Sequence, residues 1–476
     1  NHYDEKTTAA LLSQTIRQAR HFTPQGVANM LNAIARFNHY DKPVVEALLL
    51  EARFKIKMFN PIELSATLNA MAKLGHYDQV VFDLALEQIS HRTMNFRPRE
   101  IATTLNALAK VKKFRCDDTK VASFLLSKVP SQLLHFSAGD LAITANAMAQ
   151  LGVYDKRIFE QLLEVAVQKV STLTGHGIAN ICNAMAKFDH YNQAVLYQIL
   201  SRTANKMALN AQDIAVLLNA MAKLSYYDSD VWDSLLQVAQ KNLDLFTSQE
   251  LSITLAAIAK MDHRNQADIC EQLLLQVQKR SLNSQDVANC LSAVAKLELY
   301  SSKTLPVLLH RLYSLDVVSL PTIEQSQIYQ LLLGLSIEQP GFQLHTLPEL
   351  CQVKEITFQT WKSSTEGLVS SPMHKEISNV LTEMGVFHDH EVEVDGLICD
   401  ILLRRTPTTV IEVDGPSHFC RNLTKRVVGG TSFKRRLLAA QGVVCVSLPW
   451  FDWIGLSDLP AKRKYLAEKL GLHMEE

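Results

Sequence analysis

The chain has 476 residues, 47% of them hydrophobic and 20% charged, and its 48 Lys+Arg balance its 48 Asp+Glu. This is an ordinary globular composition without the basic excess of most nucleic-acid binders, so any phosphate contact must come from local patterning. The eight cysteines are scattered without a Cys-x-x-Cys pair, which speaks against a zinc site or a disulfide framework, and no apolar run reaches the ~18 to 20 residues needed to cross a bilayer.

In chain order, Asn1-His-Tyr-Asp4 matches Asn38-His-Tyr-Asp41, so the chain begins inside a repeat, and an earlier helix and a targeting segment are expected upstream. The phrase Leu68-Asn-Ala-Met-Ala-Lys73 shows what repeats. Its Asn column recurs at Asn32, Asn69, Asn106, Asn146, Asn183 and Asn219, then as Ala256 and Ser292, at spacings of 37, 37, 40, 37, 36, 37 and 36. A period of that size predicts a solenoid of stacked units, each too small to bury a core alone.

In the unit from Thr23 to Leu49, Thr23 caps and Pro24 opens a first helix whose Val27, Met30, Leu31 and Ile34 share one face. Asn38-His39-Tyr40 breaks it. Asp41 then caps a second helix with Val44, Val45, Leu48 and Leu49 as its apolar face. The same punctuation returns at Asn60 and Asp78, Arg97 and Asp117, Ser137 and Asp155, and Asn210 and Asp228. Small residues four before the Asn column, such as Ala28, Ser65, Ala102 and Ala142, allow close helix packing.

Positions minus 7, minus 3, zero and plus 4 about the Asn column share a helical face. Plus 4 reads Arg36, Lys73, Lys110, Gln150, Lys187, Lys223, Lys260 and Lys296, seven of eight cationic. Minus 7 is mostly polar. Minus 3 varies from unit to unit and includes Asn29, Thr103, Asn180 and Asn289. Stacked, these columns make a basic stripe, an amide stripe and a variable stripe, as in a base-reading array with a phosphate rail. Equally open is a structural reading, with the Asn column bonding between helices and the Lys column snorkelling to solvent.

The hairpins and the Asn-Ala-x-Ala-Lys phrase resemble the heptatricopeptide repeat proteins, which are similar in logic to pentatricopeptide and octotricopeptide arrays that bind organellar RNA. The resemblance covers about residues 1–336, with Ile328 to Ser336 as a degenerate last unit. Residues 337–371, with Pro340, Gly341, Pro348 and Ser370-Ser371-Pro372, read as an irregular linker with one short helix near 350–362.

Residues 372–476 read as a second domain of order αβββαβα: a helix over Met373 to Gly385, strands around an Asp395-Gly396 hairpin, a strand ending at Asp414, a helix over Ser432 to Gln441, a strand over Val443 to Leu448 and a final helix over Lys462 to Leu470. This order, with Asp400 and Glu412-x-Asp414, resembles the restriction-endonuclease-like core. There an Asp and the Glu of an E-x-K motif hold a divalent metal and the Lys activates water. Asp414 stands at the Lys position here, so a nuclease would need Asp400, Glu412, Asp414 and Glu376 around Mg²⁺, with Lys434 replacing the missing Lys. Otherwise no cofactor is expected.

The sharper resemblance is to the RAP domain, an RNA-associated module of organellar proteins. Asp400, Glu412 to Phe419, Gly430 to Leu438, Gly442 to Trp450 with Trp453, and Lys464 to Leu466 carry it. In this segment His418, Arg421, Lys425, Arg426, Lys434, Arg435 and Arg436 are candidate RNA contacts, and Phe419, Trp450, Phe451 and Trp453 could stack on bases. Core and surface roles are the alternatives. The whole is therefore expected to be an α-solenoid of ~37-residue helical hairpins followed by a small α/β domain of restriction-endonuclease-like RAP type. What the resemblance implies is an organellar RNA-binding protein, the mitochondrion coming before the plastid, that holds single-stranded or structured RNA, ribosomal RNA foremost, beside protein subunits of a ribonucleoprotein and away from membrane. An RNA endonuclease guided by its repeats and a peptide-binding scaffold are the competing readings.

Overall fold

The computed structural model describes residues 5–90, 94–111, 116–203, 208–264, 267–365 and 371–472. The Asn1–Asp4 echo of the repeat, the side chain of Asp117 and the end of the expected linker at 366–370 lie outside the described residues. The chain divides into two compact units, Asn1–Leu209 and Asn210–Glu476.

In the first unit the first helices of the hairpins are Pro24–Phe37, Pro61–Leu74, Pro98–Lys110, Ala138–Leu151 and Gly175–Lys187, each packed on the next. Local chemistry sets where they start. The Thr23 hydroxyl accepts from the Gly26 N–H at 3.1 Å. Asn60 and Glu63 form a reciprocal capping box, whereas at Arg97 only the Glu100 carboxylate reaches back, accepting the Arg97 N–H at 2.8 Å. The second helices begin on the expected aspartates, with Asp41, Asp78 and Asp155 accepting from Val44, Val81 and Ile158 N–H at 3.0 to 3.2 Å. The small residues Ala28, Ala102 and Ala142 are buried where neighbouring first helices meet, and Leu31, Leu68 and Leu105 are fully enclosed.

A second periodic device lies at the ends of the second helices. Lys55 Nζ donates to the carbonyls of Arg20 and Phe22, both at 2.9 Å, and Lys169 Nζ to those of Leu134 and Phe136 at 2.8 and 2.5 Å, closing the short 3₁₀ turn of the preceding unit. Turns of this kind lead into Phe59 and Phe136, both buried just before a first helix.

In the second unit the first helices are Ala211–Lys223, Ser248–Lys260, Ser284–Lys296 and Thr322–Glu338, again each packed on the next. The last covers the degenerate unit expected at Ile328 to Ser336. Beyond it the segment read as irregular linker is mostly structured. Helix Pro348–Thr365 packs along Thr322–Glu338, with Tyr329 and Trp361 ring centres 5.2 Å apart. Pro348 begins this helix instead of breaking it, because its ring presets φ and the first turn needs no N–H from it.

The C-terminal domain has strands β1 (His388–Val394), β2 (Leu397–Leu403), β3 (Thr409–Asp414) and β4 (Val444–Pro449) in the order β1-β2-β3-β4. The first three are antiparallel; β4 runs parallel to β3 after the crossover helix Gly429–Ala440. The hairpin between β1 and β2 turns on Asp395 (φ 45°) and Gly396 (φ 84°), two left-handed residues as a tight hairpin requires. Ile377 and Leu381 from helix Pro372–Glu383, Ile401, Ile411 and Leu448 from the sheet, Trp453, and Leu466 from helix Leu459–Leu470 form its core. Among the described residues no helix is long and apolar enough to cross a membrane.

Candidate nucleic-acid interface

The four sequence columns occupy different depths on the first helices. Gln25, Ile62, Arg99, His176, Gln212, Gln249 and Gln285 at minus 7 are exposed, as are Arg36, Lys73, Lys110, Lys187, Lys223 and Lys260 at plus 4. Only Lys296 is half-buried. Between them Asn32, Asn69, Asn106, Asn146, Asn183 and Asn219 are half-buried, and the minus 3 column runs from exposed Asn29 through half-buried Thr103 and Asn180 to buried Asn289. Each array face thus has two polar margins and an amide-lined middle.

The amides also bridge neighbouring helices. Asn183 Nδ2 donates to Asn146 Oδ1 at 3.1 Å, and Gln327 Nε2 to Asn289 Oδ1 at 2.9 Å. The structural role of the Asn column is therefore real at Asn146 and Asn183. The cations stand in the last helical turn, where the helix dipole favours positive charge.

Within the second unit the C-terminal domain is fastened to the ends of three first helices. Arg421 N–H donates to Ser225 O at 2.8 Å, while Asn422 Oδ1 accepts from Tyr227 N–H at 2.9 Å and its Nδ2 donates to Tyr227 O at 2.7 Å. One helix further, the Arg426 guanidinium lies 3.6 Å from the centre of the Tyr227 ring and donates to Met261 O and Asp262 O, both at 3.1 Å. Beside it Gly429 approaches Ala259 O so closely that a Cβ would sit 1.8 Å away. At the third helix Arg436 donates to Ala295 O at 2.6 Å and Lys296 O at 3.0 Å, and pairs with Glu338 at 2.5 Å. From the other end Tyr329 Oη donates to Gly396 O at 2.6 Å.

These contacts correct the expectation of one open basic cluster. Arg426 and Arg436 hold the domain on the array. Lys434 pairs with Glu412 inside the domain, and Arg435 with Asp414 at 2.5 Å and Ser447 at 2.7 Å. His418 Nδ1 lies 3.1 Å from both Asp414 Oδ1 and Thr431 Oγ1. Arg421 and Lys425 are exposed. Of the aromatic candidates, Trp453 and Phe419 are buried and available to no base, whereas Trp450 and Phe451 are half-buried. Asn422, which carries no sequence signal, is the residue the reading of motifs missed.

The carboxylates do not suit a metal. Asp400 Oδ2 accepts the Val413 N–H at 2.7 Å; Glu412 and Asp414 are taken by Lys434 and Arg435. Glu376 stands apart from them, accepting from Trp453 Nε1 at 2.8 Å and Lys462 Nζ at 2.5 Å. The expectation that Glu376 joins Asp400 and Glu412 is corrected. Burial, only partly offset by Lys434, pushes the Glu412 carboxyl up to about 6. Burial also acts to raise Asp414, but the hydrogen bonds of His418 and Ser447 and the charge of Arg435 hold it below its usual value. Among the described residues no three His, Cys, Asp or Glu side chains are grouped to hold a metal ion.

Residues 411–469 match the family model of the RAP domain. A RAP domain-containing protein, chloroplastic, of Oryza sativa subsp. japonica is 32% identical over 151 residues, which are 32% of this chain and 23% of that protein. The match therefore spans about a quarter of the relative's length. Among solved structures, the pentatricopeptide repeat protein PPR10 in complex with an 18-nt psaJ RNA element aligns over 80% of this chain and 51% of its own, at 15% identity and a TM-score of 0.35. A cysteine-to-serine variant of that protein in complex with RNA aligns equally. The chain is an array of helical repeats followed by a RAP domain.

Proposed function

We propose that the protein binds RNA in an organelle, with its repeat face on the nucleic acid and its RAP domain fixed beside it. The observation that carries this reading is the plus 4 column: six exposed cations, from Arg36 to Lys260, each in the last turn of a first helix at the repeat period. Lysines at a regular spacing beside half-buried amides suit a single strand whose phosphates meet the cations and whose bases turn toward Asn, Gln and the variable minus 3 residues. The chloroplastic RAP domain-containing relative in rice is in keeping with an organellar setting.

Ribosomal RNA in a mitochondrial ribonucleoprotein is the finer version. The equality of 48 basic and 48 acidic residues supports it, because a protein sharing its surface between RNA and protein subunits needs no global positive charge. Photocrosslinking of thiouridine-substituted RNA, followed by mapping of the adducts, tests the reading. Adducts should fall on the minus 7 and minus 3 columns of the first helices. Adducts confined to the second helices would overturn it.

A further inference from the structure

Resting on the RNA-binding reading, we propose that the RAP domain is the end-stop of the RNA track: its helix Gly429–Ala440 closes the cation column of the second unit beyond Lys260, so that bound single-stranded RNA leaves the array there. The column can be followed helix by helix. Lys223 and Lys260 are exposed, and Lys296 is half-buried. The next position is fixed by side-chain bonds between equivalent residues 38 apart: Gln327 Nε2 donates to Asn289 Oδ1 at 2.9 Å, and Ser292 Oγ to Gln330 Oε1 at 2.7 Å. At that spacing Gly334 stands in register with Lys296. Gly334 is buried, and a Cβ on it would collide with Tyr300 Oη and lie 3.5 Å from the Phe433 ring. Tyr300 is itself held, donating to Glu338 at 2.6 Å, so no cation fits where the repeat calls for one.

The cover comes from the RAP domain. Helix Gly429–Ala440 packs against Ser248–Lys260, Ser284–Lys296 and Thr322–Glu338. Phe433 and Arg436, three residues apart and so on one face of it, carry the contact. Phe433 is buried, and Arg436 donates to Ala295 O and Lys296 O while pairing with Glu338. The polar middle of the array closes over the same two helices: Asn289 is 8% exposed and Ser292 3%, each bonded across to Thr322–Glu338, whereas Asn219 two helices earlier is half-buried. Lys296 is withdrawn as well, and burial first, then the charge of Lys260, push its ammonium down to about 8. A strand is held by the phosphates it can bring to cations. Two helices whose cations are withdrawn or missing, and whose amides are spent on each other, give it nothing to follow.

The test uses the whole chain and a fluorescein-labelled oligouridylate, titrated between roughly 50 and 200 mM salt. Lys223→Gln should weaken binding severalfold at low salt and lower the slope of log K against log salt by about 0.7, the share of one phosphate contact. Lys296→Gln should keep the wild-type slope and bind within about twofold of wild type, because no phosphate contact is removed. Crosslinking of the unaltered chain to the same oligouridylate carrying 4-thiouridine gives a second readout that does not depend on how the variants fold. Adducts are expected on Ala211–Lys223 and Ser248–Lys260, and none on Thr322–Glu338. Adducts on Gln327 or Gln330, or a Lys296→Gln slope reduced as far as that of Lys223→Gln, would overturn the end-stop and leave the RNA reading in place. A wild-type slope in both variants would remove the cation column and the end-stop with it. Failure of wild type to bind would remove the RNA reading itself.

Discussion

The same left-handed turn ends the first helices of both units, and in the second unit it takes on a further role. In residues 5–203 left-handed Asn38, Gly75, Gly152 and Asp189 follow the first helices, and His39, His76, Val153 and His190 N–H bond back to Ile34, Met71, Met148 and Met185 O at 2.9 to 3.2 Å. In the second unit the left-handed residues are Ser225, Asp262 and Glu298, with the same backward bonds from Tyr226, His263 and Leu299. Each of those three turns also receives the RAP domain: Arg421 at Ser225, Arg426 at Asp262 and Arg436 at Glu298. A helix end presents unsatisfied carbonyls and a partial negative charge. The local turn answers part of this in both units; in the second the RAP domain adds a backbone N–H at Ser225 and the guanidinium groups of Arg426 and Arg436 at the next two helix ends.

The contrast can be broken most forcefully at Arg436. Arg436→Ala strands the Glu338 carboxylate with Tyr300 and frees two helix-end carbonyls, and should cost about 3–5 kcal/mol in the second unit. Urea unfolding followed by hydrogen exchange should show the loss at residues 295–298 and 429–440, with the first unit unchanged. Gly429→Ala comes next, since its Cβ would meet the Ala259 backbone oxygen, which has no flexible end to yield. About 1–3 kcal/mol of destabilisation is expected, and equal stability of variant and wild type would show that the close approach to Ala259 is not needed.

What could be seen in the sequence is what local chemistry writes. Thr23, Asn60, Ser137 and Asp41 mark helix starts because a cap acts within three residues of itself, and Asp395-Gly396 marks a hairpin for the same reason. The basic column was visible because it repeats. The division of labour among the C-terminal arginines was not, because the partners of Arg426 and Arg436 lie about 100 to 165 residues away and are mostly backbone carbonyls, which carry no residue identity. The prolines near 340–348 looked like linker until a packed helix gave Pro348 a first-turn position.

A smaller effect depends on pH and is shared by the units, because Tyr154 and His190 repeat in the first unit the pair that Tyr227 and His263 make in the second, and burial lowers the His190 pKa as well. Tyr227 Oη and His263 Nδ1 share a 2.9 Å hydrogen bond, and burial holds the His263 pKa below its usual value despite Asp233 at 3.1 Å. A depressed folded value means that the contribution is present above an unfolded pKa of about 6.5 and is lost as pH falls through the folded value. Acidification from neutrality should therefore speed amide exchange at Tyr227, under Arg426. In His263→Gln that exchange should not vary with pH over this range; a variant as acid-sensitive as wild type would assign the loss elsewhere. The smallest change is expected for Asn183→Ala, which removes one amide bridge to Asn146 and should cost about 1 kcal/mol in the first unit only. An equal loss in the second unit, read by hydrogen exchange, would show that the two do not unfold separately.

If the cation column of the first unit takes phosphates, the affinity for RNA must depend on salt through those side chains. With Lys73→Glu, Lys110→Glu and Lys187→Glu together, the account predicts weaker binding of single-stranded RNA and a slope of log K against log salt reduced by about 2, near ~0.7 for each lost contact. RNA bound with unchanged affinity and unchanged slope would contradict it.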